Sequence, residues 1–504
     1  MELSELIAGL PGVRMPRGVS GAVRICDITE DSRTAMPGSL FIARSGLKAD
    51  GRSYITDALQ QGAAAILTDA AGAEQARAMG CAHVAVADDV PLATAAIAER
   101  FYKSPSRALA VVGVTGTNGK STIAHFTQQI LSRIGCTCGL IGTIEIDDGR
   151  QRADAYMTTP PATELSRTLS LMVENGCTAL AIEASSHALY QRRVAGIAFD
   201  VGIFTNLTGD HLDYHGSMES YADAKALLFE SLPPGGLAIV NSDDAAHARM
   251  LRDCGSAVLT CSHNAGDADI SASIDYARNL LTVHGPWGEL CVPCALIGQH
   301  NAMNAAQAIA AAWHVADRPS TAVLAEASAG LTSPRGRLEP VHEPGAASPL
   351  VYVDYAHTDD ALAHASRAVR AAHAERTLWV VFGAGGDRDN AKRPRMGAIA
   401  GELADRVIVT SDNPRTERPS AIIDEIVSGI DAEHRSKVTV HADRSVAIAF
   451  AVREAGEQDV VLIAGKGHER EQVLPDGQGG TITVPFDDCE LARAALQRRS
   501  GVRA

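Results

Sequence analysis

The stretch that most constrains this 504-residue chain is an apolar run over 108–114 that passes directly into Thr115-Gly116-Thr117-Asn118-Gly119-Lys120-Ser121. A helical pattern over 122–134 follows. An unbroken apolar run of this length reads as a parallel strand buried on both faces. Glycines at 113, 116 and 119 permit tight turns and close backbone approach, and a helix N-terminus then receives an anion. The order is therefore strand, phosphate loop, helix. The strict G-x-x-x-x-G-K-[ST] pattern fails at one position, because Val114 stands where its first glycine belongs. Lys120 still supplies the positive charge, and Ser121 or Thr122 a hydroxyl for Mg²⁺. The plain alternative is a Gly-rich turn, which the strand before and the helix after make the weaker reading.

Around this core the chain divides into three α/β parts. Residues 1–104 read as a small unit, with strands at 39–43 and 64–68 and a helix at 54–61. Turn-rich sequence at 103–106 closes it. Residues 105–333 hold the phosphate loop and further buried strands at 179–182, 201–205 and 237–240, in a mostly parallel sheet. A break at 331–336 opens the last part, 334–504. There strands at 350–354, 378–382, 407–410, 437–440 and 460–464 alternate with helices, the pattern of a doubly wound, Rossmann-like domain.

With 60 acidic and 45 basic side chains the net charge is −15. Nucleic-acid affinity comes from clustered Lys and Arg, so no nucleic-acid partner is expected. No run approaches the roughly 18 apolar residues of a membrane span, and no targeting segment shows at the start, so a cytoplasmic protein without membrane insertion is expected; a monomer is expected as well. The ten cysteines are scattered; Cys291 and Cys294 form a lone C-x-x-C, read as buried thiols before a zinc site.

Three more segments fit a metal-assisted nucleotide site. Glu183 falls at the carboxyl end of a buried strand, where α/β sheets place ligands. Gly209-Asp210-His211-Leu212-Asp213 follows the next strand end, and Lys225 lies one helix further on. Each alone has a dull explanation: a salt-bridge partner, a turn, a solvated lysine. Their order after the loop suits phosphoryl transfer, which needs positioning and charge neutralisation by Mg²⁺.

With T-G-T-N-G-K, E-A-S-S-H-A-L, N-L-T-G-D-H-L-D-Y-H-G, Y-A-D-A-K and D-N-P-R in one chain, the sequence resembles the Mur ligases of peptidoglycan synthesis. The resemblance covers nearly the whole chain. It implies an ATP-dependent ligase that phosphorylates the D-Glu γ-carboxylate of UDP-MurNAc-L-Ala-D-Glu to an acyl phosphate, which an amine then attacks. It implies Lys120 on the transferring phosphoryl group, Ser121 and Glu183 on one Mg²⁺, His211 on a second, and a carbamylated Lys225. It further implies that Ser32 contacts the uridine end, and that Thr158, Thr159, Ser185, Gln191 and Arg193 bind the muramoyl dipeptide. Asn301 and Asn304 are expected near the adenine, with Arg337 and Asp354 reaching ATP from the last part. Two departures stand out. Leu47-Lys48 replaces a His-Gln pair, and Asp359 replaces a proline, which is expected to alter a helix start with Asp as its cap.

Asp412, Asn413, Pro414 and Arg415 follow a strand end and bear on the added amino acid. Meso-2,6-diaminopimelate differs from lysine by a distal carboxylate, which a guanidinium binds through two parallel hydrogen bonds. Arg415 is the first candidate and Arg388 the second; Gly465 and Glu469 sit at the next strand end, where Glu469 can pair with an ammonium. The expected product is the diaminopimelate amide. A folylpolyglutamate synthase would share the central part but lacks such a first unit, the ligase adding D-Ala-D-Ala is disfavoured by residues 412–415, and a nucleotide-dependent switch leaves His211 and Lys225 unexplained.

Overall fold

The computed structural model describes residues 1–16, 20–46, 49–264, 266–342 and 347–499. Leu47-Lys48 lies outside them. The chain forms two compact units. The first comprises Met1–Ala272, Val283–Leu290 and Met303–Ser328; the second comprises Ser273–Thr282, Cys291–Ala302 and Ala329–Ala504. The chain passes between them within the strands Ile270–Asp275, Leu280–Gly285 and Gly288–Pro293 and the helix Gln299–Val315.

The first unit holds two sheets. The smaller orders Val13–Arg14, Val84–Ala87, Ala65–Thr68, Ser39–Ala43 and Asp27–Thr29, parallel except for the first pair. Each of the three middle strands is buried throughout, which is why the sequence shows short apolar runs without alternation. In the larger sheet the parallel strands run Ala257–Ser262, Leu237–Asn241, Val201–Phe204, Ala110–Thr115, Ala179–Glu183 and Cys138–Ile141, and Glu145–Asp147 and Arg152–Asp154 extend it antiparallel. The strand Ala110–Thr115 lies between Ala179–Glu183 and Val201–Phe204. Its chain leaves over the first of these, so the loop after Thr115 emerges at a point where strand order reverses, the usual ligand position of an open parallel sheet.

The expected strand at 108–114 begins later because Pro105–Ala108 forms a 3₁₀ turn. The expected helix at 122–134 begins earlier, at Lys120. Gly119, at φ +88°, supplies the left-handed residue before it, a signal that apolar periodicity does not carry.

The second unit is a doubly wound sheet ordered Glu339–Pro340, Leu350–Asp354, Asp459–Ala464, Thr377–Phe382, Arg406–Val409 and Val438–Val440, parallel but for the first strand. Helices Asp359–Ala372, Lys392–Leu403 and Pro419–Ser428 bury Leu362, Met396 and Ile426 against one face. Helices Arg444–Glu454 and Asp488–Arg499 bury Ile448 and Ala492 against the other. The helix at Asp359 is capped by Thr358, whose hydroxyl accepts from the Ala361 N–H. Asp359 is not the cap: it opens the first turn and pairs with Arg395 at 2.5 Å.

Candidate active site

The phosphate loop is clamped from the neighbouring strand end. Thr205 Oγ1 donates to the Asn118 carbonyl at 2.6 Å, the Asn206 side chain accepts from the Asn118 N–H at 3.0 Å, and the Thr117 N–H donates to the Asn206 carbonyl at 2.8 Å. The loop ends on the 15-residue helix Lys120–Ile134, whose N-terminus has no side-chain cap. Its first N–H groups and dipole therefore face the loop, an arrangement suited to phosphate. Lys120 Nζ donates to the carbonyls of Gly116 and Thr117 at 3.0 and 2.8 Å. Thr115 is fully buried at the strand end, Ser121 sits half-buried in the first helical turn, and a methyl on Gly119 would meet Asn304 Oδ1 at 2.8 Å. Asn304 thus lies against the loop. Asn301, on the same helix, donates to the Ile297 carbonyl at 2.8 Å.

Lys225 is 1% exposed. Its Nζ donates to the Gly116 carbonyl at 2.8 Å and lies 4.3 Å from the centre of the Tyr221 ring. Burial, reinforced by the charge of Lys120, pushes its amine well below the ordinary lysine range. His211 is exposed in a left-handed turn at φ +54°, its N–H bonded to Asp210. Its ring stands edge-on to His187 at 4.7 Å. His187 also packs on Tyr214 at 4.1 Å. Burial first, then the neighbouring His211, lowers the His187 pKa to about 4.

Glu183 is buried beside Val114 in register. Its carboxylate accepts the Thr143 N–H at 2.7 Å and the Thr143 hydroxyl at 3.1 Å, and Thr143 Oγ1 lies 3.0 Å from Thr158 Oγ1. Thr159 donates to the Glu183 carbonyl at 2.6 Å and accepts from the Ser185 N–H at 3.2 Å. Arg193 grips Gln191 Oε1 through Nε and Nη2 at 3.0 and 2.7 Å and donates to the Thr159 carbonyl at 2.9 Å. The residues expected around the dipeptide, widely spaced in sequence, form one connected network. Gln191 and Arg193 also line a small cleft with Glu30 and Arg44, themselves paired at 2.6 Å. Ser32 lies buried in the short turn Ser32–Thr34. Thr143 and Asn206 were not singled out from sequence; Asn206 opens a quoted motif, whereas nothing marks Thr143 locally.

In the second unit the candidates gather at the carboxyl ends of adjacent strands. Asp354 accepts from the N–H groups of Leu338 and Ala356 at 2.7 and 2.9 Å, and burial raises its carboxyl pKa against the pull of Arg337. The Arg337 guanidinium lies 4.7 Å over the Tyr355 ring. Asn413 Nδ2 donates to Glu469 Oε2 at 2.8 Å, and Asp412 is buried beside Gly465, whose φ is +121°. Arg415, at φ +53°, donates to the Gly386 carbonyl at 2.7 Å, while a methyl on Gly386 would run into the Pro414 carbonyl. Arg388 is exposed, its Cγ 3.9 Å from where a Gly385 methyl would stand. Cys291 and Cys294 are free thiols, exposed and buried respectively.

Three family models match consecutive stretches: the Mur ligase family catalytic domain over 24–112, the Mur ligase middle domain over 114–312 and the Mur ligase glutamate ligase domain over 336–467. The chain belongs to the Mur ligase family. Mur ligases are ATP-dependent and form C–N bonds, and this chain has their three-domain α/β architecture. A relative in Synechococcus elongatus, named UDP-N-acetylmuramoyl-L-alanyl-D-glutamate–2,6-diaminopimelate ligase, is 41% identical over 99% of both chains. A protein of the same name in Coxiella burnetii is 39% identical over 95% of this chain and 97% of its own. A solved structure titled with that name superposes with a TM-score of 0.69 at 31% identity, over 99% of both chains. The MurF ligase of Thermotoga maritima in complex with ADP shares the fold, with a TM-score of 0.61 at 18% identity over 96% of this chain and 99% of its own. Among the described residues of this Mur ligase no helix is long and apolar enough to cross a membrane.

Proposed function

We propose that this Mur ligase adds meso-2,6-diaminopimelate to the D-Glu γ-carboxylate of UDP-MurNAc-L-Ala-D-Glu in peptidoglycan precursor synthesis, and that it does so in the cytoplasm as a monomer. The observation that carries the choice of amino acid is the 412–415 turn. It carries Arg415, whose guanidinium donates to the Gly386 carbonyl, and Asn413, whose amide orients the carboxylate of Glu469. A guanidinium for the distal carboxylate and a carboxylate for an ammonium form the charge pattern that diaminopimelate complements. Names of relatives about 40% identical over the whole chain support the same reading.

In this reading Lys120 and the uncapped helix N-terminus hold the γ-phosphoryl group of ATP, with Thr115, Gly116, Thr117, Asn118, Gly119 and Ser121 around the phosphates. Asn301 and Asn304 serve the adenine, and Arg337 and Asp354 are further candidates for ATP. Ser32 takes the uridine end, and Thr158, Thr159, Ser185, Gln191 and Arg193 the muramoyl dipeptide. The γ-carboxylate oxygen attacks the γ-phosphorus and ADP leaves. The amine then attacks the acyl carbon, loses a proton, and the C–O bond to phosphate breaks to leave the amide.

Mg²⁺ would be held by the carboxylate of Glu183, the hydroxyl of Ser121 and the imidazole of His211, with Lys225 joining them once carbamylated. Among the described residues no group of three His, Cys, Asp or Glu is arranged to hold a metal ion by itself. That suits an ion that keeps water and substrate phosphates as ligands rather than one held in a protein cage. When bound it neutralises charge on the transferring phosphoryl group.

The test is phosphate release from ATP with and without UDP-MurNAc-L-Ala-D-Glu, with diaminopimelate, lysine or D-Ala-D-Ala as acceptor. Release that requires the dipeptide and diaminopimelate together supports the assignment. Release driven by folate and glutamate, or without any acceptor, refutes it.

A further inference from the structure

The strand end at Ala464 carries a lysine that none of these roles uses. Lys466 is completely buried, a costly place for an ammonium unless each donor finds a partner. Its Nζ meets Asn413 Oδ1 at 2.9 Å, Glu469 Oε2 at 2.9 Å and Asp412 Oδ1 at 3.8 Å. Two of these contacts are hydrogen bonds and the third an ion pair, and all are to residues assigned above to the incoming amino acid.

Asn413 Oδ1 accepts from Lys466 and also from the Val473 N–H at 3.0 Å, so its NH₂ must face the other way, onto Glu469 Oε2 at 2.8 Å. The flipped amide would set two donors against each other. Glu469 Oε2 is therefore committed to Lys466 and Asn413. Among the described residues Oε1 has a long contact alone, 3.5 Å to the Tyr355 hydroxyl, which leaves it the oxygen available to a ligand. The strand end itself is secured separately: Arg444 holds Asp488 through two bonds of 2.8 and 2.7 Å and the Ala464 carbonyl at 2.9 Å.

We propose that Lys466 is a positioning residue for the amino-acid substrate, fixing Asn413 and Glu469 so that Glu469 Oε1 meets the substrate ammonium. The proposal rests on reading residues 412–415 as part of the amino-acid site. Without the Lys466 charge, the Asn413 amide keeps only the Val473 N–H on its oxygen, and Glu469 Oε2 keeps only the Asn413 amide, so both are held more loosely.

The experiment compares the full-length protein with Lys466→Met and Lys466→Arg, following phosphate release as amino acid and then ATP are varied, with thermal melting alongside. For Lys466→Met the KM for diaminopimelate rises roughly 10- to 100-fold, the value of a charge-assisted hydrogen bond, with the KM for ATP and the melting temperature held. Lys466→Arg keeps the charge but presents a planar fork to acceptors arranged around one point, and raises the same KM about tenfold. If Lys466→Met fails to fold, the arginine variant decides. An unchanged KM for the amino acid, or kcat, both KM values and melting moving together, overturns the proposal. Absence of diaminopimelate-dependent release in the unaltered protein is a separate failure, of the functional reading. The comparison then uses whichever amino acid supports release.

Discussion

The amines of Lys120 and Lys225 converge on one atom, the carbonyl oxygen of Gly116, at 3.0 and 2.8 Å. Two ammonium groups sharing one acceptor repel, and Lys225 is the buried one, so it is the member held toward its neutral form. A neutral amine captures CO₂, releasing a proton and becoming a carbamate anion; the buried position beside Lys120 then turns from repulsive to attractive. Intact mass at neutral pH is expected to show the increment of one CO₂, lost on acidification. Lys225→Ala is expected to lower activity by on the order of 10²- to 10³-fold, with partial recovery in added short-chain carboxylate. Full activity in that variant would refute the role.

Two glycines allow the proposed nucleotide and amino-acid sites to be tested separately. A methyl at Gly116 (φ +142°) collides with Thr205 Oγ1, the hydroxyl that holds Asn118. A methyl at Gly386 collides with the Pro414 carbonyl. Gly116→Ala is expected to abolish ATP binding measured by titration calorimetry. Gly386→Ala is expected to leave ATP affinity within about twofold and to raise the KM for the amino acid by roughly tenfold or more. Equal damage to both functions by Gly386→Ala would sink the separation.

Buried parallel strands announce themselves as apolar runs, so Leu350–Asp354 was legible to the residue, as was the order of motifs around the phosphate loop. What sequence did not show is polar bonding between residues brought together by topology. Thr143 meets Glu183 across 40 positions, and Lys466 meets Asn413 across 53. No local pattern encodes such pairs. The start of the helix at Lys120 was missed for a related reason: backbone conformation at Gly119 sets it, while the apolar periodicity becomes visible only from Ile123.

Glu99 ties three segments of the first unit together. Its buried carboxylate accepts Ser106 Oγ at 2.6 Å and Ser166 Oγ at 3.0 Å. Burial raises its pKa above the ordinary 4.5 despite those bonds, so the carboxylate is protonated more readily in the folded than in the unfolded state. The contribution is present at pH values below 4.5 and is lost as pH rises through the folded value. Glu99→Gln keeps shape and hydrogen bonds without ionising. Its melting temperature is expected to exceed that of the unaltered protein increasingly as pH climbs from about 4.5 toward neutrality. Glu99→Leu, which strands Ser106 and Ser166, is expected to cost about 2–4 kcal/mol in denaturant unfolding. A pH-independent difference between the glutamine variant and the parent refutes this account.

Arg415 is held by its own backbone bond to Val473 at 3.1 Å and by its Nη1, which donates to the Asn413 carbonyl at 3.5 Å and, in a tighter bond of 2.7 Å, to the Gly386 carbonyl. That bond fixes one edge of the planar fork, and a carboxylate can dock on donors along the rest of it. A lysine at this position keeps the charge but offers a point rather than a fork. Arg415→Lys is therefore expected to lower kcat/KM for diaminopimelate by about 10²- to 10³-fold, equivalent to roughly 3–4 kcal/mol, with the KM for ATP unchanged. The preference for diaminopimelate over lysine as acceptor is expected to shrink by the same factor, because lysine has no distal carboxylate to lose. Competition assays with both acceptors measure this directly. A variant that keeps its preference would place recognition of the distal carboxylate elsewhere, with exposed Arg388 the next residue to substitute.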